Sequence, residues 1–364
     1  MNKNDYCIIM AGGIGSRFWP LSRTKKPKQF LDILGVGKTF IRQTYERFSR
    51  IIPAQNFLVV TGTDYKNLVL DEIPEINESQ VLCEPMRRNT APCIAYATYK
   101  LLKKNPEAKV IVTPSDHIIF NDTLFLEVML NGLAYAENSD ALVTVGLKPT
   151  RPETGYGYIQ IEKNDAPGCK DTVCKVRTFT EKPDIDTAKV FVESGEFYWN
   201  SGIFIWSLNA IQKALSVYLP DIADIFAKGM DKYDTPEEEN FIFEAYSHCY
   251  NISIDYGVME KAENVFVFAA DFGWSDVGTW NSLYLQLDKD KAGNAVKNAR
   301  TYLSDVSNSM IDSENINKLV VVKGLNNYLV VDTTDVLMIC PRNNEDVIKQ
   351  TISDVLAGNG VDFL

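Results

Sequence analysis

A short apolar run, residues 6–10, leads directly into a glycine-rich turn at Gly12, Gly13 and Gly15. Glycine lets the backbone approach a ligand with its N–H groups turned inward, and such a concave turn suits phosphate. A basic tract follows: between Arg17 and Lys28 there are five basic and no acidic residues, in a chain of net charge −11. This pattern predicts a nucleoside triphosphate site after the first strand of an α/β sheet.

Two common nucleotide motifs do not fit this tract. The dinucleotide fingerprint requires a third glycine where Phe18 stands. The P-loop requires a glycine five residues before Gly37-Lys38-Thr39, and that position is Asp32. Lys38 and Thr39 are therefore interpreted as a loop followed by a helix cap.

The bulk composition narrows the class of protein. A length of 364 residues predicts two domains, and 45% hydrophobic with 23% charged residues is a globular composition. Without an apolar stretch near twenty residues, no membrane span is expected. The excess of 48 acidic over 37 basic residues argues against nucleic acid as a partner. Seven cysteines without a Cys-x-x-Cys pair favour a reducing, cytoplasmic location, and two histidines argue against a His-rich zinc site.

Apolar, β-branched runs alternate with segments of helical period, which indicates a parallel, layered α/β sheet. The runs predicted as strands are residues 6–10, 57–61, 110–113, 141–146 and 265–269. A helix is expected to begin near Thr39, and another at Asn89, with Pro92 in its first turn.

The residue composition and the pattern of apolar runs change after residue 287, so we predict one domain at residues 1–287 and a second at residues 288–364. Residues 288–300 are polar and Lys-rich, as in a linker. Three short runs at 318–322, 328–332 and 336–340 predict a β-solenoid-like coil, and a last helix is expected between Asn344 and Gly358. Strand edges in such a coil need covering, so it could form the interface of a homodimer.

The glycine-rich tract, residues 12–22 with residues 27–31, resembles the sugar nucleotidyltransferases, and within them the mannose-1-phosphate guanylyltransferases. Seven further blocks match in the same order over essentially the whole chain. These blocks are residues 84–92, 114–117, 155–159, 179–183, 199–204, 253–256 and 273–278.

The resemblance implies a Rossmann-like nucleotidyltransferase fold, a GT-A-like mixed sheet flanked by helices, with a small C-terminal left-handed β-helix. It also implies the reaction: GMP is transferred from GTP to α-D-mannose 1-phosphate, giving GDP-mannose and pyrophosphate. Longer members carry a C-terminal cupin-like isomerase domain rich in histidine. This sequence has no histidine after His248, so isomerase activity is not expected.

Four residues are implied as catalytic. The family pattern puts Arg17 on the triphosphate and Lys28 at the α-phosphate, where negative charge grows as the phosphorus is attacked. Asp116 follows a predicted strand and Asp276 lies in a Gly- and Trp-rich turn. The resemblance makes them the pair that binds a divalent cation, Mg²⁺, bridging phosphate oxygens. The neighbouring His117 is interpreted as structural, because a phosphate nucleophile needs no strong base.

Other residues are implied in binding the two substrates. Glu84 either contacts guanine or pairs with Arg87 or Arg88, and both readings stay open. Asp255 recurs in the family pattern, but a helix start after Ser253 explains it nearly as well. The nucleotide-binding candidates are Ala11, Gly12, Gly13, Gly15, Ser16, Glu84, Arg88, Asn89, Thr90 and Pro92. The sugar-phosphate candidates are Gly157, Glu181, Lys182 and Asn200.

Two other functions stay open, and two residues differ from the usual family pattern. The chemistry could serve another sugar 1-phosphate and NTP, or the chain could be a non-catalytic, nucleotide-sugar-binding regulator. Such regulators lose basic or metal-binding residues that are present here. Ser16 and Phe18 replace the Thr and Leu more usual in the family. Arg23, Lys25 and Lys26 are interpreted as solvated loop charges that could steer anions.

Overall fold

The chain forms two units, each built around its own apolar core. A computed structural model describes residues 1–137, 139–162, 173–358 and 360–364. The sheet unit comprises Met1–Gly12, Thr44–Ser115 and Ile119–Trp274. The coil unit comprises Gly13–Gln43, Asp116–Ile118 and Ser275–Leu364.

The strands are numbered in chain order. They are β1 Asp5–Met10, β2 Phe57–Gly62, β3 Val81–Glu84, β4 Lys109–Pro114, β5 Ile118–Ile119, β6 Leu142–Leu147, β7 Gly157–Ile161, β8 Val173–Glu181, β9 Phe197–Ser207, β10 Val265–Ala270, β11 Trp274–Ser275, β12 Ala295–Lys297, β13 Arg300–Ser304, β14 Met310–Ser313, β15 Leu319–Lys323, β16 Tyr328–Asp332 and β17 Leu337–Pro341.

The helices are numbered likewise. They are α1 Phe40–Phe48, α2 Lys66–Glu72, α3 Thr90–Lys104, α4 Asp122–Glu137, α5 Ile185–Ser194, α6 Leu208–Tyr218, α7 Pro220–Ala227, α8 Glu238–His248, α9 Trp280–Gln286 and α10 Glu345–Ala357. Among the described residues, none of these helices is both long and apolar enough to cross a bilayer.

The large sheet of the sheet unit is mixed, as the family resemblance implied, and not purely parallel, as the alternation of strands and helices alone predicted. Its strand order is β3-β2-β1-β4-β9-β6-β10-β8-β7. Strands β1 to β4 are parallel neighbours, as the alternation with helices predicted. The long strand β9 runs antiparallel between β4 and β6, and β7 and β8 also pair antiparallel. The direction of these strands follows from long-range pairing, which alternation along the chain does not report.

The core of the sheet unit explains why its central strands were recognisable. Cys7, Ile8 and Ile9 are fully buried, as are Val110, Ile111 and Val112 in the neighbouring strand. Strands covered on both faces read as continuous apolar runs. Helix α3 packs against β1 and β2, and α4 packs against β4, β9 and β10. All five runs predicted as strands are confirmed, with ends that differ by one residue.

The predicted helix starts are found with the expected chemistry. The hydroxyl of Thr39 accepts from the backbone N–H of Arg42 (3.3 Å), so Thr39 caps α1 and is no part of a P-loop. Asn89 precedes α3, and its side chain accepts from the N–H of Thr90 (2.9 Å). Asn344 holds the equivalent place before α10, but forms no side-chain cap bond within the described part of the chain.

The coil unit stacks short strands in parallel. Ala295 of β12 lies beside Met310 of β14, which lies beside Leu329 of β16. A second parallel pair joins β13 and β15, whereas β17 runs antiparallel to β16. The three predicted runs appear as β15, β16 and β17. Residues 288–300 are not linker throughout, because β12 lies within them. The left-handed β-helix stays a prediction.

The segment after the glycine turn belongs to the coil unit. Phe18, Trp19 and Phe40 share a buried cluster with Trp280 and Leu329. These contacts join residues about 300 positions apart along the chain, and no local period indicates them. The domain division at residue 288 stays a prediction, and the coil unit takes in residues 13–43 besides its C-terminal strands.

Candidate active site

The glycine turn closes tightly against the start of the segment Lys28–Phe30. Gly15 has a φ of +57°, and a Cβ there would lie 2.4 Å from Cβ of Lys28. Only glycine fits this position, for both the backbone conformation and the space. The Ser22 hydroxyl donates to the Ile14 carbonyl (2.9 Å), and the Gln29 amide donates to the Gly13 carbonyl (2.9 Å).

A cavity of about 280 Å³ in the coil unit brings the four predicted catalytic residues together. It is lined by Gly15, Ser16, Arg17, Lys28, Asp116, His117, Asp276 and Gly278. The guanidinium of Arg17 is exposed, whereas the side chain of Lys28 is only 4% exposed. The cavity therefore offers one exposed and one buried cation to an anionic ligand.

Lys28 is a buried ammonium held by several groups at once. Its Nζ lies 2.9 Å from Oδ2 of Asp116 and 2.7 Å from the carbonyl oxygen of Asp276. The same atom lies 5.6 Å and 5.1 Å from the ring centres of Phe18 and Phe40. Such close partners are what a buried charge requires.

The Asp116 carboxylate is kept ionised by its neighbours, and the Asp276 carboxylate is oriented by its own turn. Burial alone would raise the pKa of Asp116, but the charges of Lys28 and His117 and the Lys28 hydrogen bond bring it below its usual value. The Gly278 N–H donates to Oδ1 of Asp276 (3.0 Å). A Cβ at Gly278 would lie 2.9 Å from Oδ2 of Asp276, so the turn leaves room for that carboxylate.

A second polar cluster lies in the sheet unit, around Glu181 at the end of β8. Gly157 pairs with Glu181 across β7 and β8, and a Cβ on Gly157 would lie 2.2 Å from Oε2 of Glu181. Among the described residues, that Oε2 is buried and has no hydrogen-bond partner. Oε1 instead accepts from Nζ of Lys182 (2.5 Å). An unpaired buried carboxylate oxygen is costly, which is typical of an atom kept for a ligand.

Asn200 of β9 completes this cluster with its amide fixed. Its Oδ1 accepts from the Gly202 N–H (3.1 Å) and the Thr144 hydroxyl (3.3 Å), and its Nδ2 donates to Oδ1 of Asp255 (2.9 Å). Within the described residues, the second N–H of this amide is left for another partner. Burial and then the charge of Glu181 raise the pKa of Asp255 to about 6.

Asp255 opens a helical turn, as one of its two readings expects, whereas its role at the site stays a prediction. Ser253 caps the turn that follows, because its hydroxyl accepts from the N–H of Tyr256 (3.2 Å). The carboxylate of Asp255, which opens the π-helical turn Asp255–Met259, is thereby left to Asn200. Its place within a family block was the sequence signal for a role at the site.

The third candidate group surrounds Glu84, where β3 ends. Oε1 of Glu84 accepts from the Tyr246 hydroxyl (3.0 Å), and a Cβ on Gly12 would lie 2.9 Å from Oε2. Burial raises the pKa of Glu84 to about 7, opposed by the Tyr246 hydrogen bond and the charge of Arg87. Arg88 donates instead to the Tyr246 carbonyl (3.1 Å). Tyr246 was missed from the sequence because it lies 162 residues away on α8.

The other nucleotide-binding candidates of the sheet unit have structural partners. The Ala11 N–H donates to Val60 O (2.8 Å), and the Thr90 hydroxyl accepts from the Ile254 N–H (2.9 Å). Asn89 caps α3, and Pro92 is buried in its first turn. Their contacts with a base or ribose stay predictions.

One sequence interpretation is wrong. Arg23 is not a solvated loop charge, because its guanidinium binds both carboxylate oxygens of Asp335, with one N–O distance of 2.6 Å. Lys25 and Lys26 are exposed, as interpreted. The partner of Arg23 lies 312 residues further along the chain, beyond the reach of any local pattern.

Comparison with known proteins decides the family. A family model described as nucleotidyl transferase matches residues 6–292. The mannose-1-phosphate guanylyltransferase of Escherichia coli K12 is 36% identical over 360 residues, which cover 97% of this chain and 73% of that protein. The chain belongs to the nucleotidyl transferase family. The resemblance read from the sequence blocks is confirmed.

A further relative and a solved structure agree with this family assignment. The xanthan biosynthesis protein XanB of Xanthomonas campestris strain B100 is 35% identical over 356 residues, covering 96% of this chain and 72% of that protein. A crystal structure from Thermus thermophilus, described as a mannose-1-phosphate geranyltransferase, superposes with a TM-score of 0.86 at 29% identity. It covers 97% of this chain and 99% of its own, so the nucleotidyltransferase α/β fold is shared.

The raised pKa of Glu84 predicts a pH-dependent contribution to stability. Its ordinary value is 4.5 and its folded value about 7, so between these values the folded state binds more protons than the unfolded state. Stability therefore falls as the pH rises through this window. We expect wild type to lose more unfolding free energy between pH 5 and pH 8 than Glu84→Gln, measured by urea denaturation.

The control is Glu193→Gln, at an exposed position on α5. It should lose as much stability over this range as wild type. Equal losses in wild type and Glu84→Gln would show that Glu84 titrates normally.

Proposed function

We propose that this protein transfers GMP from GTP to α-D-mannose 1-phosphate, giving GDP-mannose and pyrophosphate. The observation that carries the proposal is the cavity in which Lys28 is held between Asp116 and Asp276, with Arg17 on its wall. The near full-length similarity to proteins named mannose-1-phosphate guanylyltransferase supports the same choice of substrates.

The chemistry is one in-line displacement. A phosphate oxygen of mannose 1-phosphate forms a bond to the α-phosphorus of GTP, while the bond from that phosphorus to the bridging oxygen of the β-phosphate breaks. Pyrophosphate leaves with the electron pair. The attacking oxygen is already anionic near neutral pH, so the site needs to orient and stabilise rather than deprotonate.

Lys28 and Arg17 would stabilise the charge that develops. Lys28 is fixed by Asp116, the Asp276 carbonyl and two aromatic rings, so it can face the α-phosphoryl oxygens without reorganising. Arg17 is exposed on the cavity wall and would bind the leaving pyrophosphate, with the N–H groups of Gly13, Gly15 and Ser16 nearby along the turn. One preorganised donor of this kind is worth about 3 kcal/mol, or about a hundredfold in rate.

Asp116 and Asp276 would hold the Mg²⁺ ion. The donor set fits, because both residues line one cavity and the lowered pKa of Asp116 keeps its carboxylate ionised. Hard oxygen donors, few from the protein and the rest from phosphate and water, are what Mg²⁺ prefers. When bound, the ion would supply positive charge that neutralises the phosphate groups.

The Glu181 cluster would bind mannose 1-phosphate. The unpaired Oε2 of Glu181 can accept from a sugar hydroxyl, and the remaining N–H of Asn200 can donate to one. Gly157 keeps this space open, and Lys182, at the end of the strand, would bind the phosphate. An acceptor and a donor at fixed positions would distinguish sugar epimers. An epimer with a hydroxyl on the other face would leave a buried polar group unpaired, which costs about 1–3 kcal/mol.

Glu84 would select guanine. Guanine presents N–H donors at N1 and N2, and the carboxylate of Glu84 is held in place by Tyr246. Ala11, Gly12, Arg88, Asn89, Thr90 and Pro92 would complete the base and ribose site.

The finer assignments of architecture and assembly belong to the same proposal. Residues 1–287 would form the catalytic domain and residues 288–364 a left-handed β-helix, which the parallel pairing of β12, β14 and β16 supports. Exposed apolar side chains on β17, Leu337 and Ile339, favour a homodimer. We place the protein in the cytoplasm, where both substrates would be available.

A substrate panel tests the proposed reaction. Pyrophosphate release would be measured for GTP, ATP, UTP and dTTP, each with mannose 1-phosphate, glucose 1-phosphate and a heptose 1-phosphate. We expect kcat/KM for GTP with mannose 1-phosphate to exceed every other pair by about tenfold or more. A different best pair would overturn the substrate assignment. Absence of turnover with every pair would favour the non-catalytic regulator.

Gly157→Ala tests the sugar-phosphate cluster. The new Cβ must displace the Glu181 carboxylate, so we expect KM for mannose 1-phosphate to rise by about tenfold, with KM for GTP little changed. The control is Gly155→Ala, where the nearest atom would lie 3.6 Å from the added Cβ. If both variants retain the wild-type KM for mannose 1-phosphate, Glu181 does not bind the sugar at this position.

A further inference from the structure

Arg23 joins the segment that carries Arg17, residues 16–23, to the turn between β16 and β17 of the coil unit. Its guanidinium makes a two-point contact with the Asp335 carboxylate and a third bond to the Thr333 hydroxyl (3.2 Å). The Thr333 hydroxyl also lies 3.0 Å from Oδ1 of Asp335, which orients the carboxylate. Planar two-point pairing fixes direction as well as distance.

The residues directly after Arg17 are tied at a second point. The indole N–H of Trp19 donates to the carbonyl of Phe363 (2.8 Å), and that of Trp280 donates to the carbonyl of Trp19 (3.2 Å). The ring of Phe18 is fully buried and packs 5.1 Å from Trp280. The backbone that carries Arg17 is therefore joined to the end of the chain.

Local hydrogen bonds connect Trp19 and Arg23 to Arg17 and the glycine turn. Arg17 lies in a single 3₁₀ turn, Ser16–Phe18, in which the Phe18 N–H donates to the Gly15 carbonyl (2.9 Å). The Ser22 N–H donates to the Phe18 carbonyl (3.0 Å), and the Ser22 hydroxyl donates to the Ile14 carbonyl. The side chain of Arg23 also donates to the Pro20 carbonyl (2.9 Å). A displacement at Arg23 or Trp19 would reach Arg17 and the glycine turn.

We propose that the C-terminal part of the coil unit positions the segment that carries Arg17, residues 16–23, through Asp335 and the Phe363 carbonyl. Arg23, Trp19 and Asp335 are then positioning residues for Arg17. The inference rests on the proposed function, because it assigns GTP to the cavity that Arg17 lines.

The contacts that position Arg17 differ from those that stabilise the fold. Burial of Phe18 and Trp19 holds the segment on the coil unit, whereas the Arg23–Asp335 pair is part exposed, at 19% and 40% of the side chains. Partly exposed ion pairs contribute little to global stability. Their loss can still reduce catalysis, because a charge must be placed within a fraction of an ångström to stabilise a transition state.

The test compares Asp335→Asn with the exchanged pair Arg23→Asp/Asp335→Arg. We expect Asp335→Asn to raise KM for GTP by about fivefold, with KM for mannose 1-phosphate and the melting temperature near wild type. The exchanged pair should recover most of the loss. Trp19→Phe keeps an aromatic ring but lacks the donor to Phe363, and should shift KM for GTP in the same direction.

The matched control is Asp140→Asn, which removes an exposed ion pair with Lys213 in the sheet unit. It should leave both KM values unchanged. Unchanged KM for GTP in Asp335→Asn would overturn the proposal, as would equal losses for both substrates that follow a lowered melting temperature.

Failure of the proposed function would look different. Wild-type protein would then release no pyrophosphate from GTP and mannose 1-phosphate, and the panel above would report it. A raised KM for GTP confined to the Asp335 and Trp19 variants, in an active wild type, can arise only from the positioning contacts.

Discussion

The buried ammonium of Lys28 is the feature on which the site depends. A charge this deep requires partners, and the chain supplies them from three separate places: Asp116, the Asp276 carbonyl, and the rings of Phe18 and Phe40. Gly15 is fixed by the same side chain, because only a residue without Cβ can pass Lys28 Cβ. The Lys28 side chain therefore contacts all three parts of the cavity: the glycine turn, Asp116 after β4, and the turn that contains Asp276.

The polar clusters of the sheet unit also hold ionisable groups away from water, but these groups are carboxyls rather than an ammonium. Glu84 is buried, the side chain of Glu181 is only 9% exposed, and burial raises the pKa values of Glu84 and Asp255. Each has only part of its hydrogen-bonding capacity used, by Tyr246, Lys182 or Asn200. Buried groups held in this way cost stability in the free protein and give direction to a ligand that satisfies them.

Sequence reasoning succeeded where the signal is local. The fully buried strands β1 and β4 read as apolar runs, and Thr39 and Asn89 read as caps. The family pattern named Lys28, Asp116 and Asp276, which line one cavity, and their catalytic roles stay predictions. Sequence reasoning did not find β12, which is three residues long in a polar stretch, nor the antiparallel direction of β9. It also missed Tyr246 beside Glu84 and Asp335 beside Arg23, because pairs 162 and 312 residues apart leave no local trace.

The most direct test of the central claim is the turnover number of Lys28→Gln. Lys25→Gln serves as the control, because Lys25 belongs to the same basic tract but is exposed. With GTP, mannose 1-phosphate and Mg²⁺ at saturation, the account predicts a fall in kcat of about a hundredfold for Lys28→Gln and none for Lys25→Gln. A folded Lys28→Gln protein with wild-type kcat would contradict it.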